Sequence, residues 1–130
     1  MIYFDASALV TLVSGRAHAA GLRKFLESCP DADTCTSTIG FIETVRTCDR
    51  IGDYPNLLPQ LLRMHIEVPV TDHVRDVAVG VPGGLPSLDA IHVASAEVLG
   101  PALIALVTYD RRMADAARDA GLPVAMPGTE

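Results

Sequence analysis

Short apolar runs alternate along the whole chain with longer segments whose apolar residues recur at helical spacing. The short runs predict strands near residues 1–5, 33–37, 66–69, 103–108 and 123–126. The longer segments predict helices near 7–14, 17–29, 38–51, 55–64, 71–81, 87–99 and 111–120. Ser7, Thr38 and Thr71 are the predicted N-caps, because each hydroxyl stands just ahead of a helical pattern. Pro86-Ser87 opens the helix at Leu88, Gly100-Pro101 closes it, and Gly121-Leu122-Pro123 separates the last helix from the final strand. Mainly apolar strands that alternate with helices predict an α/β fold. Its expected form is a three-layer α/β/α arrangement with a central, mainly parallel sheet of about five short strands, covered on both faces.

Four carboxylates break this pattern. Asp5 ends the run Met1-Ile2-Tyr3-Phe4, and Asp110 follows Leu103 to Tyr109. Glu43 sits inside a helix beside Ile42 and Val45. Asp89 opens a helix reading L-D-A-I-H-V-A-S-A-E-V-L, in which Glu97 is the other formal charge. Local explanations exist for three of them. Asp110 can cap the helix at Arg111, Asp5 can be a strand-to-helix turn residue, and Glu43 can pair along its helix with Arg46 and Arg50. Alternatively, those two arginines stand beside a bound phosphate. Asp89 is less easily explained, since the helix dipole offers only about 0.3–1 kcal/mol against a larger desolvation cost.

In open parallel sheets, ligand sites gather beyond the carboxyl ends of the strands, where Asp5 and Asp110 fall. Four acids gathered there would repel one another, and a bound cation relieves both the repulsion and the burial cost. An all-carboxylate set selects a hard cation, Mg²⁺ or Mn²⁺ over Zn²⁺. The chemistry expected of it is in-line attack on a phosphodiester by a water of lowered pKa. His92 lies one turn beyond Asp89. It fits a hydrogen-bonded core residue, with a carboxylate partner or a metal ligand as alternatives. Ser7 and Thr108 stand two residues from Asp5 and Asp110, where either hydroxyl can orient a carboxylate. His18, His65 and His73 have no clustered partners and read as surface or turn residues.

Composition narrows the class. At 130 residues the chain reads as a single domain spanning 1–130. A hydrophobic content of 49% and a mean hydropathy of +0.31 indicate a packed globule. No apolar run approaches the roughly 18–20 residues that span a bilayer, and the start lacks a basic export region. The expected location is the cytoplasm, with no membrane partner. Cys29, Cys35 and Cys48 are odd in number and lack C-x-x-C spacing, so they read as reduced thiols and not as a zinc site. Net charge is −6, yet setting the four acids aside leaves ten basic residues against twelve acidic. Nine of those ten are arginines, which suit a phosphate-rich partner.

The quoted stretches carry a family resemblance. Met1 to Val10, Ile42-Glu43-Thr44-Val45-Arg46, Leu88 to Ala94 and Val107 to Arg112 resemble, in order and spacing, the signature of the PIN domain. More narrowly they are similar to VapC-type toxins of bacterial toxin–antitoxin pairs, and the likeness runs from residue 1 to about 126. The resemblance implies a metal-dependent endoribonuclease that cleaves cellular RNA, tRNA or rRNA, with Asp5, Glu43, Asp89 and Asp110 as catalytic metal ligands. It also implies a homodimer or a toxin–antitoxin hetero-oligomer, held inactive by a cognate antitoxin whose carboxy-terminal segment lies across the toxin. Leu57 to Leu62 suits either such a partner or ordinary core packing.

Three other functions compete. A noncatalytic binding module could keep the fold without turnover, and a nuclease could act on DNA. An aspartyl-phosphate receiver or phosphatase would need a late-strand lysine, whereas Lys24 is early. The phosphatase motif would also need an acid at position 7, which is Ser7.

Overall fold

A computed structural model describes residues 1–129. Five strands, β1 (Ile2–Phe4), β2 (Thr34–Ser37), β3 (Ile66–Val68), β4 (Ala105–Val107) and β5 (Val124–Ala125), form one sheet. Its order is β3-β2-β1-β4-β5, and every pairing is parallel. Among the described residues the seven α-helices are α1 (Ala6–Ser14), α2 (Ala19–Glu27), α3 (Thr38–Ile51), α4 (Leu57–Met64), α5 (Asp72–Val79), α6 (Ser87–Glu97) and α7 (Arg111–Asp119). This is the three-layer α/β/α fold that the alternation predicted. Strand and helix ends lie within two residues of the predicted ranges, and α1 begins one residue earlier than predicted.

The central strand shows why both faces must be covered. Ile2, Tyr3 and Phe4 are all fully buried. Ile2 and Phe4 pack with Leu9, Leu22 and Val107 on one side of the sheet. Tyr3 packs with Val93, Leu106, Met113 and Ala117 on the other, as the two-residue period of a strand requires. A third cluster joins α1, α3 and α4 through Val10, Phe41, Cys48, Leu57 and Leu61. Leu57 and Leu61 are therefore core, while Leu58 and Leu62 on the same helix are 42% and 47% exposed. The segment serves packing on one face and leaves a second apolar face open.

Two caps differ from expectation. Asp5, and not Ser7, caps α1 by accepting the Ala8 amide hydrogen. Ser37, and not Thr38, caps α3 through the Gly40 amide. In each case the residue with extended backbone angles just ahead of the helix takes the role. Thr71 caps α5 as predicted. His65 is also corrected: it is 93% buried, bonded through Nδ1 to the Thr34 hydroxyl at 2.7 Å and set edge-on to Phe4. Burial lowers its pKa. The three cysteines are free thiols, and burial pushes Cys35 up to about 12. No helix is long and apolar enough to cross a membrane among the described residues.

Candidate active site

The chain leaves β1 for β2 on one side and reaches β4 and β5 on the other, so the strand order reverses between β1 and β4. At that switch point the carboxyl ends diverge and open a crevice. Asp5 follows β1 and Asp110 follows β4 by three residues. Glu43 projects from the second turn of α3, and Asp89 from the first turn of α6. All four line one cavity of about 170 Å³, together with Ser7, His92 and Met113. Residues that lie as far apart in sequence as 5 and 110 thus converge.

Asp5 is the anchor. It is 98% buried, and both carboxylate oxygens are held. The Ser7 hydroxyl donates to Oδ1 at 2.7 Å, and the Thr108 hydroxyl donates to Oδ2 at 2.5 Å. Each hydroxyl also accepts a backbone N–H from the β4–α7 turn: Ser7 from Tyr109 at 2.9 Å, and Thr108 from Asp110 at 3.0 Å. Two short side chains therefore lock the ends of β1 and β4 to one carboxylate. Burial raises the Asp5 pKa, and the donated hydrogen bonds oppose that rise. Asp110 caps α7, accepting from the Arg112 and Met113 amides through Oδ1.

Glu43 is held by a relay that begins under the sheet. The Ser37 amide donates to the Tyr3 hydroxyl at 3.2 Å, which contacts His92 Nδ1 at 2.8 Å. His92 Nε2 lies 2.7 Å from Glu43 Oε1. Burial holds the Tyr3 phenol far above its ordinary pKa, so it keeps its proton and donates it to Nδ1. Nε2 then carries the hydrogen that Glu43 accepts. His92 is 1% exposed, as a core histidine should be, and it is also the carboxylate's partner. Glu43 forms no ion pair with Arg46 or Arg50 among the described residues, and neither arginine lines the cavity. That ion-pair stripe is replaced by the histidine. Tyr3 has no role assigned from the sequence; a phenol in an otherwise apolar central strand, whose hydroxyl needs a partner once buried, is the signal available for it.

Asp89 is only half-buried, since α6 is enclosed from His92 to Ala96 and opens at its start. Its pKa is raised by desolvation and then by the charge of Asp110, with Glu43 and Asp5 adding to it and His92 opposing. That coupling shows the four acids sharing one field. Among the described residues no group of three His, Cys, Asp or Glu side chains is drawn into a metal-holding arrangement. The donor set nonetheless fits Mg²⁺, which keeps several waters and takes one or two protein carboxylates, and the mutual repulsion is what such an ion would relieve.

A parallel sheet with a carboxylate-lined hollow at its switch point defines the class, and comparison with known proteins agrees. The model of the PIN domain matches residues 2–119. Ribonuclease VapC47 of Mycobacterium tuberculosis is 37% identical over 133 residues, covering 98% of both chains. Ribonuclease VapC35 of the same species is 34% identical over 136 residues with the same coverage. Among solved structures, a toxin–antitoxin complex from Klebsiella pneumoniae aligns with a TM-score of 0.75 at 22% identity, over 98% of both chains. Mycobacterium tuberculosis VapC20, described as a sarcin–ricin-loop-cleaving toxin, aligns at 0.71 and 19% over 89% of this chain and 95% of its own. The chain belongs to the PIN domain family, and within it to the VapC type.

Proposed function

We propose that this protein is a Mg²⁺- or Mn²⁺-dependent endoribonuclease, the toxin of a toxin–antitoxin pair. It cleaves cellular RNA in the cytoplasm and is restrained by a cognate antitoxin. The observation that carries this reading is the shared cavity, in which four carboxylates from four elements meet and the charges of Asp110, Glu43 and Asp5 add to the rise in the Asp89 pKa. Asp5, Glu43, Asp89 and Asp110 are the residues that would hold the ion. When bound, a hard divalent cation compensates their charge and lowers the pKa of water at the site.

The chain's own residues supply position. Asp5 is immobilised by three donors, and Glu43 is fixed by the His92 ring. Asp89 and Asp110 are half-buried and form the accessible side, where a phosphodiester enters. No nucleophilic side chain is required, since water attacks. The names of VapC47 and VapC35 support RNA as the substrate, and the target described for VapC20 favours rRNA, or similarly structured tRNA. The Klebsiella pneumoniae complex supports a protein antitoxin, for which the exposed Leu58 and Leu62 face of α4 is a suitable seat.

The test is cleavage of total RNA by purified protein with Mg²⁺ or Mn²⁺. Activity is expected to vanish with EDTA and in folded Asp5→Ala and Asp89→Ala variants. Equal cutting in EDTA, or by both variants, would overturn the reading.

A further inference from the structure

The acid-lined cavity, at about 170 Å³, is below the roughly 300–1,000 Å³ of small-molecule sites and has room for little beyond a reacting phosphate. Beside it lies a larger groove of about 570 Å³. One wall is α7, with Arg111 and Arg118, and the other is the tail from Met126 to Thr129. His18 and Tyr109 lie between them, their rings stacked at 5.1 Å and 12°. Tyr109, Asp110 and Arg111 are consecutive, so the groove and the cavity share one turn of chain.

We propose that this groove binds a nucleotide of the RNA strand beside the scissile phosphate, its base stacked on the His18–Tyr109 pair and its phosphates against Arg111 and Arg118. The proposal rests on the nuclease reading above and names how that site grips its substrate.

Three features of the groove suit an RNA strand. The first is charge. The protein carries −6 and its cavity is acidic, so an RNA strand needs a local cationic surface to approach it. Arg111 and Arg118 stand seven residues apart on one helix, two turns or roughly 10 Å along the same face. Both are exposed, and Arg111 has no ion pair among the described residues. Arg118 lies 3.8 Å from Asp115, and both are more than half exposed, a pairing weak enough to yield to phosphate.

The second is the aromatic surface. His18 is exposed, and ring stacking binds any base because every base offers a π-face. Its Nδ1 faces the Gly128 carbonyl at 3.0 Å and must donate there. A neutral His18 ring therefore keeps Nε2 as an acceptor, and that atom has no partner among the described residues, so it can meet a 2′-hydroxyl or a base N–H.

The third is preorganisation. Tyr109 donates its hydroxyl to the Pro127 carbonyl at 2.8 Å, pinning the tail. Gly21 of α2 lets the tail pass close, since a side-chain carbon there would meet Gly128 Cα at 2.6 Å. The walls are thus built before substrate arrives.

The experiment measures anisotropy of a short fluorescein-labelled single-stranded RNA of mixed sequence in EDTA, which separates binding from cutting. Arg118→Ala and His18→Ala should each raise Kd about tenfold, while His18→Tyr, which keeps a stacking ring but not the ring-nitrogen acceptor, should lose clearly less affinity than His18→Ala. Arg118→Ala should also reduce the salt slope of log Kd by roughly 0.7. With Mn²⁺ present, KM for RNA should rise, while hydrolysis of bis(p-nitrophenyl) phosphate, which lacks sugar and base, stays unchanged. Wild-type cutting of RNA together with unaltered RNA affinity in both alanine variants overturns the groove assignment alone. Unaltered RNA affinity with weakened antitoxin capture does the same and assigns the groove to protein. Failure of wild type to cut any RNA sinks the nuclease reading itself.

Discussion

His92 Nε2 lies 2.7 Å from Glu43 Oε1, and the other ring nitrogen is held by the Tyr3 hydroxyl. The ring is buried and cannot rotate without breaking both bonds, so it transmits the rigidity of the central strand to a carboxylate on α3. Glu43 is 30% exposed, and without this partner its side chain would be free to leave the cavity.

Removing the relay should therefore lower catalysis more than it lowers stability. His92→Ala is expected to reduce kcat for RNA by roughly 10–100-fold, the range seen when a supporting partner of a metal ligand is lost. Tyr3→Phe should give a smaller fall in kcat. It also leaves the Ser37 amide and His92 Nδ1 unpaired, at a cost of about 1–3 kcal/mol in denaturant unfolding. A Tyr3→Phe enzyme with wild-type kcat at equal stability would refute the positioning role.

Asp5 and Asp89 both have pKa values raised above 3.8 in the folded chain. The folded state then holds protons that the unfolded state has released. Their contribution to stability is fully present below pH 3.8 and is lost as pH rises through the raised values. In EDTA, Tm should fall over that window, and Asp89→Asn should flatten the decline while raising Tm at neutral pH by removing a like charge.

Saturating Mg²⁺ or Mn²⁺ should reverse the loss at neutral pH. At a hundred times Kd the gain is about 2.7 kcal/mol, read as a rise in Tm by scanning fluorimetry. The same titration on Asp5→Ala and Asp89→Ala should give little or no rise. An equal rise in both variants would place the ion elsewhere.

Gly40 lies under the second strand, where an added methyl would overlap Thr36 Oγ1. That hydroxyl is itself bonded to the Phe4 carbonyl at 2.7 Å and cannot easily yield. Gly40→Ala should destabilise the fold by about 1–3 kcal/mol through overpacking. Because α3 carries Glu43, activity measured well below Tm should also drop.

The open face of α4 gives a contrasting outcome. Leu62→Glu alters an exposed residue and should change stability by less than about 0.5 kcal/mol, with RNA cleavage intact. Capture of the purified antitoxin should weaken. Retained capture by a Leu58→Glu, Leu62→Glu double variant would remove this face from the interface.

Much of this protein was legible in its sequence. Apolar runs separated by helical patterns are enough to predict a parallel sheet covered on both faces, because a strand buried on both sides has no polar face to show. Asp5, Glu43, Asp89 and Asp110 stood out for a related reason: a carboxylate in an apolar setting needs compensation, wherever its partners lie. Caps were less legible. Ser7 and Thr38 are as suitable by type as Asp5 and Ser37, and only backbone angles set by the strand ends choose between them.

What only the tertiary structure decided is which distant residues meet. Nothing local links Thr108 to Asp5, Tyr3 to His92 or His18 to Tyr109; each pair depends on the strand order and on how helices seat against the sheet. Hydrophobic periodicity is written in neighbouring residues and can be read along the chain. The orientation of a carboxylate depends on hydrogen bonds of a few ångströms between elements, and those exist only once the core has closed.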